Sequence, residues 1–540
     1  MTCCAAVRVL PCLTASGRPR WQGRWPSNSL GTPVALPGLR ARRRPGRRCA
    51  AASLLRYGLQ AQPGLRLPAG GDDMGDFAAR LGELRKSVAD LEVITDAGEV
   101  AERSHDTWMR SLIERRKGAT RRASALVRPT STEQVSAVLE WADRTRTPVV
   151  PFGLGSGVCG GVDAGSGQIV VDMSKMDEIV EVNDASLTVT VQAGMRGSDF
   201  EKALRGRDLT LGHFPQSIEL STVGGWCATR AAGQFSTLYG NIEDMLIGCK
   251  VVIPGGTVLD LPAVPRAATG PDLKSVFLGS EGTLGIFTEL TLRVHPVPEA
   301  SRGVSFTLPS FESGIEALRQ ILRVGWRPAV TRLYDAMEAG RNFQSDSDGE
   351  PMLLILSEGP KSLVEAEIEA VCSIVDGCGG IDNGSGPVTS WLEHRNEVPT
   401  FESLLDQNLV VDTIEVAISW ERMSKLYTAV VEATSPLEGV LAMSGHVSHC
   451  YTHGANIYFT FIAAQQNLDE ALERYDRVWE TTMATTRDLG GTIAHHHGIG
   501  RVRKRWLERE LGAARDLLIK IKRAVDPNGI MNPGVLVDVD

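Results

Sequence analysis

A chain of 540 residues, 42% of them hydrophobic and 23% charged, has the composition of an ordinary globular enzyme and room for two or three domains. No run of about 18 apolar residues occurs, so no transmembrane helix is expected. The ten cysteines form no CxxC pair, which argues against a metal cage or disulfide framework and fits a reducing compartment.

The net charge of −8 hides a sharp asymmetry. Residues 1–73 hold twelve Arg, no Lys and only two acids, Asp72 and Asp73, for a charge of +10, so the rest carries −8 − 10 = −18. This leader is rich in Arg, Pro, Gly, Ala and Ser and cannot bury enough apolar surface to fold. Three readings stay open for it: an organelle transit peptide, a basic tail, or untranslated upstream sequence with the start at Met74. The protein is expected in the cytoplasm, or in an organelle if the leader is a transit peptide. No nucleic-acid partner is expected, because the basic cluster lacks interleaved aromatics.

After a helical segment at 74–122, the chain reads as α+β. Ser131 and Gln134 have capping-box spacing, and Val135, Val138, Leu139 and Ala142 recur with helical period, so a helix is expected to about Arg144. Strands are expected at Pro148–Phe152 and Ile169–Met173, with a hairpin from Glu178–Val182 to Leu187–Gln192. Ser198 is expected to cap the next helix. A new strand near Val304 follows His295-Pro296, which places a boundary near residue 300. The expected division is 123–299, 300–480 and a returning segment at 481–540.

The first strand feeds a loop, Phe152-Gly153-Leu154-Gly155-Ser156-Gly157-Val158, then Cys159-Gly160-Gly161. Its glycines let backbone N–H groups converge on a phosphate. It lacks the Lys-Ser/Thr of a P-loop, and no helix opens after it as a Rossmann fingerprint requires. Two further small-residue segments follow. One is Gln216-Ser217-Ile218-Glu219-Leu220-Ser221-Thr222-Val223-Gly224-Gly225-Trp226, continuing through Thr229-Arg230-Ala231-Ala232 to Tyr239-Gly240-Asn241. The other is Glu281-Gly282-Thr283-Leu284-Gly285-Ile286-Phe287. Small and hydroxylated residues of this kind let a backbone lie flat against a planar ring system and a pyrophosphate.

These segments, with Ala494-His495-His496-His497-Gly498-Ile499-Gly500 near the end, resemble the vanillyl-alcohol oxidase superfamily of flavoproteins, and within it the alkyldihydroxyacetonephosphate synthase branch. The resemblance spans roughly residues 120–540. It implies a two-subdomain FAD-binding domain, an α+β cap domain over the flavin, and FAD as cofactor. The FAD would be non-covalent, because the loop has no His to carry it. Phe152–Val158 would hold the pyrophosphate. Gln216, Ser217, Ser221 and Thr222, then Thr229, Arg230, Ala231 and Ala232, and then Glu281–Phe287 would be the other cofactor segments. Gln216 and Ala232 depart from the Asp and Ser usual in the family. Tyr458, His495, His496, His497 and Arg332 match the branch's catalytic positions. There a proton leaves the carbon beside a ketone, a flavin N5 adduct forms, and a fatty alcohol replaces an acyl group on dihydroxyacetone phosphate. The resemblance also implies a small-molecule or lipid substrate and a homodimer, and leaves room for peripheral membrane contact.

One departure bears on substrate. The branch places an arginine for the substrate phosphate fourteen residues before the glutamate aligned with Glu415, and this chain has Phe401 there, with Arg395 as the nearest upstream cation. A bidentate donor to phosphate is thereby lost. Asp526-Pro527-Asn528-Gly529-Ile530-Met531-Asn532-Pro533-Gly534 resembles the tail of FAD-linked 2-hydroxy-acid dehydrogenases. In that alternative His446 and His453 echo a metal-binding His pair. A flavin-bound scaffold without catalysis is the third reading.

Overall fold

In the computed structural model, alternating burial along short strands builds three main sheets. The residues described are 74–343, 349–398 and 401–539; the basic leader lies outside them. In the first sheet, Ala125–Arg128, Ile169–Asp172 and Val149–Phe152 run parallel, with Glu92–Ile94 antiparallel at the edge. That edge strand falls inside the segment expected to be helical, between the helices Met74–Ser87 and Ala97–Glu102. The helix Thr132–Thr145 buries Val135, Val138, Leu139 and Ala142, as its period requires.

Two sequence-based caps form differently. Ser131 Oγ accepts the Gln134 N–H at 3.3 Å, but the Gln134 side chain reaches one residue further back, to the Thr130 N–H at 2.8 Å. Ser198 lies inside the helix Gly197–Arg205. The Gly197 N–H donates instead to the Ser221 carbonyl at 3.0 Å, a tertiary bond that replaces the side-chain cap.

The second sheet is antiparallel, in the order Ile179–Asn183, Thr188–Gln192, Ile286–Arg293, Leu246–Val252, Val258–Leu261. Its first two strands are the expected hairpin. Together the two sheets form the first lobe.

From Ala300 the chain enters an eight-stranded antiparallel sheet. Its path is Ile381–Gly384, Ala300–Thr307, Met352–Gly359, Val330–Tyr334, Val440–Val447, Gly454–Ala464, Leu409–Ser419, with Cys450–Tyr451 paired to the sixth of these. Side chains alternate between two cores. Leu353 and Ile355 pack into the core formed with the helices Phe311–Arg323, Lys361–Gly377, Trp420–Thr434 and Leu468–Asp488. Met352, Leu354 and Leu356 join the core of the first lobe. One sheet face is thus backed by helices and the other addresses the first lobe.

Candidate active site

The face alternation decides which polar residues meet. Along Gly454–Ala464, Ala455, Ile457, Phe459, Phe461 and Ala463 enter the helix-backed core, so Tyr458 points the other way. Along Leu409–Ser419, Val410, Ile414, Val416 and Ile418 do the same, which turns Glu415 toward the first lobe. Register completes the row: Tyr334 lies opposite His446, His446 opposite Tyr458, and Tyr458 opposite Glu415. Arg332, two residues from Tyr334, shares its face.

Contacts along this row are close. The Tyr458 hydroxyl lies 3.2 Å from His497 Nε2 and accepts from Thr413 Oγ1 at 3.2 Å. Its ring stacks on His446 with centroids 4.8 Å apart. His446 Nδ1 meets Glu338 Oε2 at 2.7 Å, and its Nε2 lies 3.1 Å from Arg332 Nη2. Arg332 Nε donates to the Tyr334 hydroxyl at 2.5 Å. Burial pushes Glu338 up, yet its pairing with His446 outweighs this and holds the carboxyl low, while burial lowers the His446 imidazole in turn. Burial raises the Tyr458 phenol, so it stays protonated at neutral pH.

The histidine run is placed by Glu415. Its carboxylate accepts the backbone N–H of His495 at 3.0 Å, His496 at 3.3 Å and His497 at 2.6 Å. Its counter-ion is Arg503 at 3.1 Å, and both side chains are 0% exposed. His495 Nε2 faces the Tyr451 hydroxyl at 2.7 Å, and its Nδ1 lies 2.8 Å from His496 Nδ1. His449, held by Ser236 Oγ at 2.8 Å, stacks on His495. All five proposed catalytic residues therefore meet at one face of the sheet.

Burial lowers His495 and His497 to about 4, against the pull of Glu415. A base with a depressed folded pKa binds fewer protons in the native chain than in the unfolded one, so its contribution is full above about 6.5 and lost as pH falls through about 4. Urea midpoints are expected to fall from pH 6.5 to 4, with a shallower slope in His495→Asn/His497→Asn. An identical slope would refute neutral, buried imidazoles.

On the first lobe, the backbone N–H groups of Leu154, Gly155, Ser156, Gly157 and Val158 find no protein acceptor among the described residues. A Cβ on Gly153 would sit 2.5 Å from Thr222 Oγ1, so only glycine brings the loop this close to the second segment. Five backbone donors without a protein acceptor, beside a bare backbone, fit a dinucleotide pyrophosphate.

Other segment side chains serve the protein itself. Ser221 Oγ joins the Ser217 carbonyl and Trp226 Nε1, both at 2.8 Å, and Thr222 Oγ1 caps Gly225. Arg230 pairs with Glu243, Thr229 bonds the Gly225 carbonyl, and Gln216 is exposed and reaches the Glu397 carbonyl. Ala232, Leu284, Ile286 and Phe287 are buried. Any contact these segments make with a cofactor falls chiefly to their backbone.

Glu281 and Asn532 tie the site shut, and neither role is visible in the sequence. Glu281 accepts the Ile499 and Gly500 N–H groups at 2.7 and 2.8 Å, and burial lifts its carboxyl to about 7. Asn532 Nδ2 donates to the carbonyls of Gly161 and Glu281. A Cβ on Gly500, at φ +51, would overlap the Cys159 carbonyl, so no side chain fits there. His446 and His453 do not converge: His446 is buried on Glu338, whereas His453 is exposed at the hairpin turn. Among the described residues no group of three or more His, Cys, Asp or Glu is arranged to hold a metal ion.

This arrangement defines a class, the two-lobed FAD-binding flavoproteins of vanillyl-alcohol oxidase type. Residues 123–262 match a FAD binding domain, and 297–536 match the C-terminal domain of FAD linked oxidases. The chain belongs to the FAD-linked oxidase family, and FAD is its cofactor. It is 34% identical to YgcU, an uncharacterized FAD-linked oxidoreductase of Escherichia coli O157:H7, over 77% of this chain and 89% of that one. It is 32% identical to the alkyldihydroxyacetonephosphate synthase of Dictyostelium discoideum, over 79% of this chain and 76% of the relative. A solved alkyldihydroxyacetonephosphate synthase superposes with a TM-score of 0.71 at 27% identity, covering 85% and 84% of the two chains.

Proposed function

We propose that this flavoenzyme catalyses an alkyldihydroxyacetonephosphate synthase-like exchange, in which the acyloxy group on the carbon beside a ketone leaves as a fatty acid and the oxygen of a fatty alcohol bonds in its place, with an altered grip on the substrate's anionic end. The observation that carries the reading is the row Arg332–His446–Tyr458–Glu415, faced by the three histidines. The related synthases of Dictyostelium discoideum and of solved structure support it. The Phe152–Val158 loop would hold the flavin, which would supply an electrophilic ring. The chain's own residues supply the rest. The neutral imidazoles of His495 and His497 can take a proton from the carbon next to the ketone. The protonated Tyr458 hydroxyl and the Arg332 guanidinium can stabilise the enolate oxygen. Glu415 fixes the histidine backbone so that these groups keep their spacing.

A second reading, oxidation of a 2-hydroxy acid, is favoured by the 3.1 Å approach of Arg332 to His446, a cation for a carboxylate beside a base for a hydroxyl. Anaerobic mixing with each substrate class, followed at the flavin absorbance, separates the two. Bleaching by acylated dihydroxyacetone phosphate supports the synthase reading, and bleaching by a hydroxy acid alone supports the oxidase.

Two further results are expected. Acid precipitation should release the yellow chromophore into the supernatant, because no loop histidine is available to bond the flavin; colour that stays with the pellet would show a covalent link. Phe401 opens the helix Phe401–Asp406, and Phe401→Arg should raise ether formation about tenfold to a few hundredfold, since charge-assisted hydrogen bonds are worth about 1.5–3 kcal/mol each. Efficient ether formation by the native protein, unimproved by the mutation, would show that Phe401 costs nothing.

A further inference from the structure

The helix Gly386–His394 and the residue after it bring two side chains to the first lobe, one turn apart. Trp391 lies beneath Arg332, whose Cζ is 5.5 Å from the ring centroid. Four residues on, Arg395 sits between two rings of the first lobe, 5.0 Å from the Phe214 centroid and 5.2 Å from that of Phe235. Its Nη1 donates to Gln234 Oε1 at 2.7 Å, and Gln234 Nε2 donates back to its carbonyl at 3.2 Å.

A guanidinium carries five N–H donors. The one protein acceptor that the described residues give Arg395 is a neutral amide, and its other nitrogens are not among the sealed, unpartnered polar atoms. Arg332 likewise uses Nε and Nη2 on Tyr334 and His446, which leaves Nη1. Burial lowers Arg395 to about 10 against the pull of the Glu358 and Glu201 carboxylates, and the Arg205 and Arg332 charges add to the lowering. Gln234 is two residues from Ser236, which holds His449, and His449 stacks on His495. Arg395 lies close enough to Arg332 for the two charges to repel. Two aromatic faces and an amide fix its plane, and among the described residues no carboxylate reaches it as a direct ion pair.

We propose that Arg395 and Arg332 together seat the oxyanion end of the substrate, a phosphate monoester or a carboxylate. This seat rests on reading Arg332 as a substrate-side residue. A planar fork held by stacking is preorganised for such a group.

The test uses the FAD-loaded full chain as native, Arg395→Gln and Arg395→Lys. Each is titrated with dihydroxyacetone phosphate, D-lactate and uncharged dihydroxyacetone, followed by the flavin spectrum. Native protein should bind at least one anion. Arg395→Gln should weaken that binding about tenfold to a few hundredfold, with flavin content and dihydroxyacetone binding unchanged. Arg395→Lys should fall between, keeping the charge but losing the fork. If Arg395→Gln fails to hold flavin, Arg395→Lys carries the comparison. Binding of D-lactate but not the phosphate ester, lost on mutation, would support the seat while refuting the synthase reading. Native-like anion binding by both variants, or no anion binding by the native protein, would overturn the seat and leave the synthase reading to its own test.

Discussion

Tyr458→Phe is expected to give a folded, yellow protein that turns over about 10²- to 10⁴-fold more slowly, the usual cost of losing a positioned proton donor. The change removes one oxygen from a ring whose packing stays. The stack on His446 at 4.8 Å does not involve the hydroxyl, and the neighbouring Ile457 and Phe459 belong to the opposite face. What disappears is the link between Thr413 Oγ1 and His497 Nε2, each 3.2 Å from the hydroxyl. Because burial raises this phenol, it acts as a donor and not as a phenolate, so its loss should appear in turnover at saturating substrate and not in flavin binding. His496→Ala should behave likewise, since that ring lies between His449 and Tyr458. Flavin spectra of both variants should match the native spectrum. Native turnover in both would return Tyr458 and His496 to a packing role.

The cofactor lobe is legible in the sequence because its signals are local. A strand followed by closely spaced glycines, and hydroxyl-rich segments in fixed order, state their backbone geometry within a few residues. The histidine run is legible for the same reason. The rest depends on register across four strands. Tyr334, Glu415, His446 and Tyr458 are far apart in the chain and meet only because three antiparallel pairings align them. Nothing near Glu415 marks it as the acceptor of three N–H groups, and nothing near Arg503 marks it as buried. Ser198 misleads for the converse reason. A local capping preference loses to a bond between Gly197 and Ser221 that no window of sequence contains. The returning segment shows the same dependence. Its backbone is held by Glu415 from one lobe and by Glu281 and the Cys159 carbonyl from the other, so the histidines report the relative placement of both.

Glu415→Leu is expected to cost about 3–5 kcal/mol of stability and to abolish turnover. The two losses have separate causes. The stability loss arises because Arg503, 0% exposed and bound also to the Gly498 and Glu415 carbonyls, would keep its charge in a dry interior without its direct ion-pair partner. The activity loss arises because the N–H groups of His495, His496 and His497 lose their shared acceptor, and the three rings lose their common origin. Glu415→Gln should be milder in stability, since an amide oxygen still accepts N–H bonds, but it cannot answer the Arg503 charge. The pair Glu415→Leu/Arg503→Met separates the two effects. Replacing both members of a buried ion pair with apolar groups is often neutral, so the double variant should regain most of the thermal midpoint lost in Glu415→Leu. It should not regain turnover, because leucine accepts no N–H bond. Melting curves and saturating-substrate turnover on the three variants measure both quantities. A double variant that recovers activity along with stability would show that the histidine run needs no acceptor and that Glu415 serves the fold alone.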